Sequence, residues 1–211
     1  MRRLAESPEE LAERFNVSRE SLDRLRKYCD LLATWQKRIN LVGRSTTEEI
    51  WLRHIADALQ LIALFDKPLP RIADLGSGAG IPGLILAIAR PLEAHLFESH
   101  LKKAAFLREA ARMTGAAAHV HAIRIEAASA LAPTIKADVV TARALAPLPK
   151  LLAYAQPFLE QGAVGLFHKG QDVDVELSEA AKPWRVNVIK HPSMTDSRGC
   201  ILEVRGAHRV K

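Results

Sequence analysis

The chain predicts an α/β protein in which a helical N-terminal extension precedes a doubly wound, mostly parallel sheet. Three observations predict it. Residues 71–83 read Arg-Ile-Ala-Asp-Leu-Gly-Ser-Gly-Ala-Gly-Ile-Pro-Gly, a short apolar strand that enters a glycine-dense loop and then opens a helix at Pro82. Beyond that run, apolar stretches alternate with helical segments, the pattern of parallel strands joined by crossover helices. Before it, apolar residues recur at three- and four-residue steps, the period of a helix.

Each element follows from local chemistry. Ser7-Pro8-Glu9-Glu10 gives the first helix a cap, an early proline and acids at the positive end of its dipole. Ser18 caps a second helix, whose buried stripe is Leu22, Leu25, Cys29, Leu32 and Trp35 and which ends near Asn40. A third is expected from about Thr47 to Leu64, with Ile50, Ile55, Leu59 and Ile62 toward a core. Pro68 and Pro70 mark a linker, so residues 1–67 read as the helical extension and 68–211 as the Rossmann-like domain. Strands are expected at Ile72–Leu75, Ala94–Phe97, Ala118–His121, Val139–Thr141 and Val164–His168, with helices at 82–90, 101–114 and 148–156. Trp184–Lys190 and Cys200–Arg205 flank a polar loop and read as a terminal hairpin that adds an antiparallel edge.

Composition narrows the function. At 211 residues and 48 % apolar content the chain can bury a sizeable core. No apolar run reaches the ~18 residues of a membrane span, and Cys29 and Cys200 stand alone, so a cytoplasmic protein with no membrane partner is expected. No group of His, Cys and carboxylates has metal-ligand spacing, and no metal is expected. The net charge of +6 is clustered: residues 14–44 hold eight Lys/Arg against three acids, 99–125 five against one, and 180–211 seven against two. Such faces suit a phosphate backbone, and Lys102, Lys103, Arg112, Lys190 and Arg198 are the candidate RNA contacts. Solvated helix faces are the plain alternative.

The glycine run carries the chemistry. Gly76, Gly78 and Gly80 let the backbone turn tightly and approach a ligand at a helix N-terminus, and Asp74 can accept from the loop or from an ammonium group. Glu98 closes the next apolar run, twenty residues after Gly78, where a carboxylate can take both ribose hydroxyls. Gly78 to Gly83 also fits the dinucleotide fingerprint, but Asp-x-Gly-x-Gly-x-Gly deep in the chain matches S-adenosylmethionine better. Glu126, after the third strand, stands where an acid can read the adenine, or it is a surface acid at a helix start. Arg143, past the fourth strand, stands at the ligand edge of the sheet. Arg53 and Asp57, one turn apart, read as a surface pair of low worth, and Trp35, Trp51 and Trp184 as packing. No Pro-Cys dipeptide supports a cysteine nucleophile, and no Asn/Asp-Pro-Pro-aromatic run supports an exocyclic amine target. An acceptor that is already nucleophilic remains, such as guanine N7, which needs alignment and little acid–base help.

Several blocks in this order resemble one family. They are Trp35-x-x-x-Ile39-Asn40-Leu41, Arg53-His54-x-x-Asp57, the run Asp74 to Gly83, Thr141-Ala142-Arg143-Ala144 and His168-Lys169-Gly170. Together they look like the RsmG (GidB) family of bacterial small-subunit ribosomal RNA guanine-N7 methyltransferases, over roughly residues 20 to 206. The resemblance implies a class I methyltransferase fold, S-adenosylmethionine as cofactor with S-adenosylhomocysteine as product, and 16S RNA within the small subunit or its precursor as partner. A monomer is expected. Gly76, Ile81, Ile125, Glu126 and Arg143 carry over as cofactor residues, and Glu98 takes the place of the ribose acid, commonly Asp in the family. Arg143 together with Asn40, His54 and Lys169, at motif positions near the RNA side, are the candidate catalytic residues. A small-molecule N-methyltransferase and a non-catalytic RNA-binding module are the alternatives; the first needs no basic faces, and the second no intact cofactor loop.

Overall fold

The computed structural model describes residues 7–43 and 49–210. Helices α1 (Pro8–Arg14) and α2 (Arg19–Gln36) begin at the two serine caps, and Ser7 forms a full capping box with Glu10. The expected start of the third helix at Thr47 lies outside the described residues. Its remainder is less regular than the periodicity implies. Trp51–Ala56 winds with π geometry, Asp57–Leu59 (α3) makes one α turn, and Gln60–Leu64 tightens to 3-10.

Five parallel strands follow, and the first three have the expected bounds: β1 (Ile72–Leu75), β2 (Ala94–Phe97), β3 (Ala118–His121), β4 (Val139–Arg143) and β5 (Val164–Lys169). Between them run α4 (Gly83–Ala89), α5 (Leu101–Thr114), a 3-10 stretch at Ile125–Leu131 with α6 (Ala132–Ile135), and α7 (Leu148–Leu159). Pro82 caps α4 rather than entering its first turn. A further helix, α8 (Val173–Ala180), occupies a stretch for which the sequence predicts no element. Strands β6 (Trp184–Pro192) and β7 (Cys200–Arg209) form the terminal hairpin, with β7 antiparallel to β5.

The sheet order is β3-β2-β1-β4-β5-β7-β6. Alternate residues of each strand feed two different cores. Ile72, Leu96, Val139 and Leu166 pack under α2, α4 and α5, in a core that also takes Leu25, Tyr28 and Leu59 from the N-terminal helices. Ala73, Leu75, Phe97, Val140 and Phe167 pack under α7 with Leu151, Leu152 and Phe158. The N-terminal helices are thus a layer of the main core, continuous with α4 and α5. Tyr28 is tied in as well: its hydroxyl donates to the Ala79 carbonyl of the glycine loop at 2.7 Å, so α2 supports the loop from behind.

Candidate active site

The carboxyl ends of β1, β2, β4 and β5 converge on two adjacent features. One is the glycine loop. Gly76, Gly78 and Gly80 all take positive φ. Glu98, nearly buried at the end of β2, accepts the Gly78 amide at 2.9 Å with Oε2 and the His100 amide at 2.7 Å with Oε1. A carboxylate oxygen offers two lone pairs, so Glu98 fixes the loop and keeps acceptor capacity for hydroxyls. Asp74 is fully buried under the loop; Oδ1 accepts from Thr141 Oγ1 at 2.7 Å, while Oδ2 has no hydrogen-bond partner among the described residues. Burial raises its pKa to about 6, against the pull of the Thr141 hydroxyl. The Ser77 side chain and the Gly83 backbone also favour its charged form, so Asp74 underlies the whole turn from β1 to α4. Ile125 is half-buried beside this region, and exposed Glu126 accepts from Tyr154 Oη at 3.2 Å.

The second feature is a cleft of about 470 Å³ between the ends of β4, β5 and β7, lined by Asp57, Arg143, Leu145, His168, Lys169 and Cys200 among others. Leu145 separates it from the glycine loop, since a Cβ on Gly76 would lie 2.6 Å from its Cδ1. Ala144 reaches this course by adopting φ 52°, a conformation an alanine takes at a cost of about 1–3 kcal/mol and one that recurs at functional sites.

Arg143 organises the cleft. Its Nε pairs with Asp57 Oδ2 at 3.1 Å, Nη2 donates to the Arg53 carbonyl at 3.0 Å, and Nη1 donates to His54 Nδ1 at 3.0 Å. Asp57 in turn accepts from Gln60 Nε2 at 2.7 Å and Thr195 Oγ1 at 2.6 Å, and its carbonyl accepts from His168 Nε2 at 2.8 Å. The Arg143–Asp57 pair therefore ties the π turn and α3 to β4, β5 and the β6–β7 loop. The surface Arg53–Asp57 pair expected from spacing does not form: Arg53 pairs with Glu49 at 2.7 Å, and Asp57 turns inward. Because a guanidinium only donates, His54 Nδ1 must accept, which makes the ring neutral with its proton on Nε2. Burial and then the Arg143 charge lower the His54 pKa to about 4, in accord with that tautomer.

That value has a pH signature. Unfolded, the ring protonates near 6.5; folded, near 4, so this group withdraws stability as pH falls through that window and contributes none of the loss above it. Imidazole resonances of His54 are expected to stay at their neutral positions from pH 8 down to about 5. A midpoint near 6.5 would show that the Arg143 contact is absent in solution.

The remaining candidates fall unevenly. Lys169 lines the cleft with its ammonium held by Glu176 Oε2 at 2.5 Å and the Ala146 carbonyl at 3.1 Å, and Glu176 also accepts the Leu148 amide at 2.6 Å. It clamps the β4–α7 loop to α8. Asn40 is exposed beyond α2, where its Oδ1 accepts from Gln36 Nε2 at 3.4 Å, and it does not join the Arg143 network. Ile81 is buried in the core below the loop. Lys102 and Lys103 open α5 and Arg198 sits in the β6–β7 loop, so these three rim the ligand edge of the sheet. Arg112 lies in the last turn of α5, and Lys190 is on the far edge strand, paired with Asp174 at 2.8 Å. The five basic residues are therefore not one face. Sequence reasoning passed over Asp57 as a site residue and missed Thr195, Glu176 and Cys200. Only Asp57 had a signal, its place in the Arg53-His54-x-x-Asp57 block. Burial raises the Cys200 pKa, leaving a thiol that is a poor nucleophile.

A doubly wound sheet ending in a reversed β7, with a glycine turn at β1 and an acid at the end of β2, defines a methyltransferase of the Rossmann-like class. Solved structures share this fold: a ribosomal protein L11 methylase from Lactobacillus delbrueckii subsp. bulgaricus (TM-score 0.54, 19 % identity, 72 % of this chain and 78 % of that one), and an O-methyltransferase, described as putative, from Klebsiella pneumoniae (TM-score 0.55, 12 % identity, 87 % and 90 %). The chain belongs to the GidB family, rRNA small subunit methyltransferase G, whose family pattern matches residues 21–202. It is 48 % identical to the ribosomal RNA small subunit methyltransferase G of Paramagnetospirillum magneticum, covering 96 % of this chain and 97 % of that one. It is also 48 % identical to the protein of that name from Rhodospirillum rubrum, covering 97 % and 100 %. Among the described residues no helix is long and apolar enough to cross a membrane.

Proposed function

We propose that the chain transfers a methyl group from S-adenosylmethionine to N7 of a guanine in 16S RNA, on the small ribosomal subunit or its precursor. The names of its relatives support the ribosomal RNA substrate. The observation that carries the choice of atom is the state of the cleft. Asp57, His168, Lys169 and Glu176 are hydrogen-bonded to one another's elements, Cys200 is a thiol, and His54 Nδ1 is engaged by Arg143. Among the described residues lining the cleft, the carboxylates Asp57 and Glu176 are each tied to a cation, Arg143 and Lys169, so neither stands as a free base. Guanine N7 has none to lose: its in-plane lone pair attacks directly. An exocyclic amine, by contrast, must shed one.

The residues fit the cofactor. Gly78 presents open space where a Cβ would stand, its nearest atom being Gly76 O at 3.8 Å. Glu98 would take the ribose hydroxyls, Asp74 would set a negative potential below the amino-acid end, and Ile125 and Glu126 would flank the base. When bound, S-adenosylmethionine supplies an electrophilic methyl on a sulfonium. The chain's own part is alignment. Leu145 separates the two halves of the site, and the Arg143 network holds the acceptor cleft rigid. Methylation at N7 moves positive charge from sulfur to the base without creating an anion, so a fixed arginine assists by position. Lys102, Lys103 and Arg198, at the rim, would meet phosphates.

The test is methyl transfer from labelled cofactor to small subunits, free 16S RNA, transfer RNA and small amines, with nucleoside mass spectrometry and borohydride–aniline cleavage of the product. 7-Methylguanosine confined to the small-subunit RNA is expected. Label on an exocyclic amine would overturn the N7 assignment, and label only on small amines would overturn the RNA substrate.

A further inference from the structure

We propose a second, metal-binding site on the β2–β3 edge of the sheet, built from Glu93, His95 and His119 and suited to Zn²⁺. The expectation that no group has metal-ligand spacing fails here, because strand pairing assembles one. His95 on β2 stands opposite His119 on β3 in the parallel register, and their side chains share a face. Glu93, two residues before His95, projects to the same face. Glu93 Oε1 lies 3.2 Å from His95 Nε2 and 3.1 Å from His119 Nε2, and all three donor atoms fall within 4.8 Å of one another. A tetrahedral zinc with N and O ligands at about 2.0–2.1 Å sets neighbouring donors about 3.3 Å apart, so two of the three edges are already in place.

The surroundings are built as metal sites are. Arg71 Nε holds the other carboxylate oxygen, Glu93 Oε2, at 2.9 Å, and its Nη1 donates to the Ile135 carbonyl at 2.8 Å. This leaves Oε1 as the oxygen that faces the imidazoles. His121 Nε2 lies 3.0 Å from His95 Nδ1, the nitrogen that faces away from Glu93. With a metal on Nε2, His95 carries its proton on Nδ1 and donates it to His121, the outer contact that fixes a ligating ring. His121 is in turn held between His95 and Phe97 by stacking, at 5.3 and 4.8 Å between ring centres. The rings of His95 and His119 stack at 4.9 Å, so the more exposed His119 must turn to aim its lone pair. That exposure leaves the fourth position to water. Two imidazoles with one carboxylate favour zinc over magnesium or calcium, which take oxygen ligands.

This site is separate from the proposed methyl-transfer site. His95 precedes Glu98 by three residues, roughly 10 Å along the strand. Its effect is to fasten the short edge strand β3 to β2 and so to raise stability when the metal is bound.

The test uses the untagged full chain, freed of metal with a chelator. Calorimetry with ZnCl₂ is expected to show one equivalent bound, thermal melting to rise with added zinc, and Co²⁺ to give the intense visible bands of four-coordination. Glu93→Gln and His119→Ala are expected to weaken zinc binding more than about 100-fold, and His121→Phe, which removes only the outer contact, about tenfold. Circular dichroism of the metal-free variants identifies any that fail to fold, and His119→Ala, at the most exposed of the three ligands, is the variant least exposed to that failure. Zinc affinity in His119→Ala and Glu93→Gln equal to that of the parent, or cobalt spectra with only weak six-coordinate bands, would overturn the site.

Discussion

Arg143→Lys is expected to lose methyl transfer by about two decades or more and to lower thermal stability as well. A lysine keeps the charge but replaces a planar fork of fixed donors by one ammonium on a flexible stem. It cannot serve Asp57, the Arg53 carbonyl and His54 Nδ1 together, each of which Arg143 now holds at 3.0–3.1 Å. If the ammonium stays with Asp57, the Arg53 carbonyl and His54 Nδ1 lose their donor; if it serves them, Asp57 is left nearly buried with two neutral donors. Breaking a buried pair outright costs about 3–5 kcal/mol; with the charge kept and a quarter of the Arg143 side chain in water, about 3 kcal/mol is the ceiling. For a chain of this size, about 3 kcal/mol lowers the melting temperature by roughly 6–12 °C. The loss in rate comes from geometry: displacement of a reacting group by an ångström costs about a hundredfold. Asp57→Asn separates the two possible roles of the arginine. If Arg143 acts by holding the cleft, the asparagine variant also loses activity while cofactor affinity stays near that of the parent. If Arg143 acts only by touching a ligand, Asp57→Asn is harmless. Parent-like activity and melting in Arg143→Lys would dispose of the clamp altogether.

What could be read from the sequence was local. The strands β1, β2 and β3 lie where apolar runs end at glycine, proline or charge, and the caps at Ser7 and Ser18 follow from side chains that bond their own chain three residues on. Glu98 was found because its distance from the glycine loop is set by one βαβ unit. Asp57 was misjudged for the opposite reason. Its partners Arg143, His168 and Thr195 come from β4, β5 and the β6–β7 loop, and nothing in its own neighbourhood records them. The same holds for the Glu93–His95–His119 group, which exists only because β2 and β3 pair in one register. Helix α8 is hard to read from sequence, because Val173-Asp174-Val175-Glu176-Leu177 lacks a helical apolar stripe and is crowded with acids. Tertiary use explains two of those acids: Glu176 holds Lys169 and the Leu148 amide at the cleft wall, and Asp174 pairs with Lys190 on the edge strand. Regular helix geometry likewise gave way where the Trp51–Ala56 turn meets Arg143, and single π turns gather at functional sites.

Gly78→Val is expected to abolish binding of S-adenosylmethionine and S-adenosylhomocysteine while leaving the protein folded, whereas Gly80→Val is expected to damage both. The two glycines are two residues apart with similar backbone angles, φ 56° and 85°, so strain of about 1–3 kcal/mol falls on each variant. Their surroundings differ. A Cβ at Gly78 meets only Gly76 O, at 3.8 Å, so valine projects into open space, with its amide still held by Glu98. That open space is where the proposed cofactor must lie against the backbone, and two added methyls exclude it. A loss of more than about 100-fold in affinity, over 2.7 kcal/mol, is expected, with a melting temperature lowered only by the strain. At Gly80 the same Cβ would stand 2.7 Å from Leu84 Cβ and 3.0 Å from Leu107 Cδ2, inside a packed core. Overpacking there adds about 1–3 kcal/mol to the strain, and α4, which begins at Gly83, must shift. Calorimetric titration and thermal melting of both variants decide the matter. A Gly78→Val protein that bound the adenosyl cofactors like its parent would place the cofactor elsewhere, because no ligand can share that position with a valine side chain.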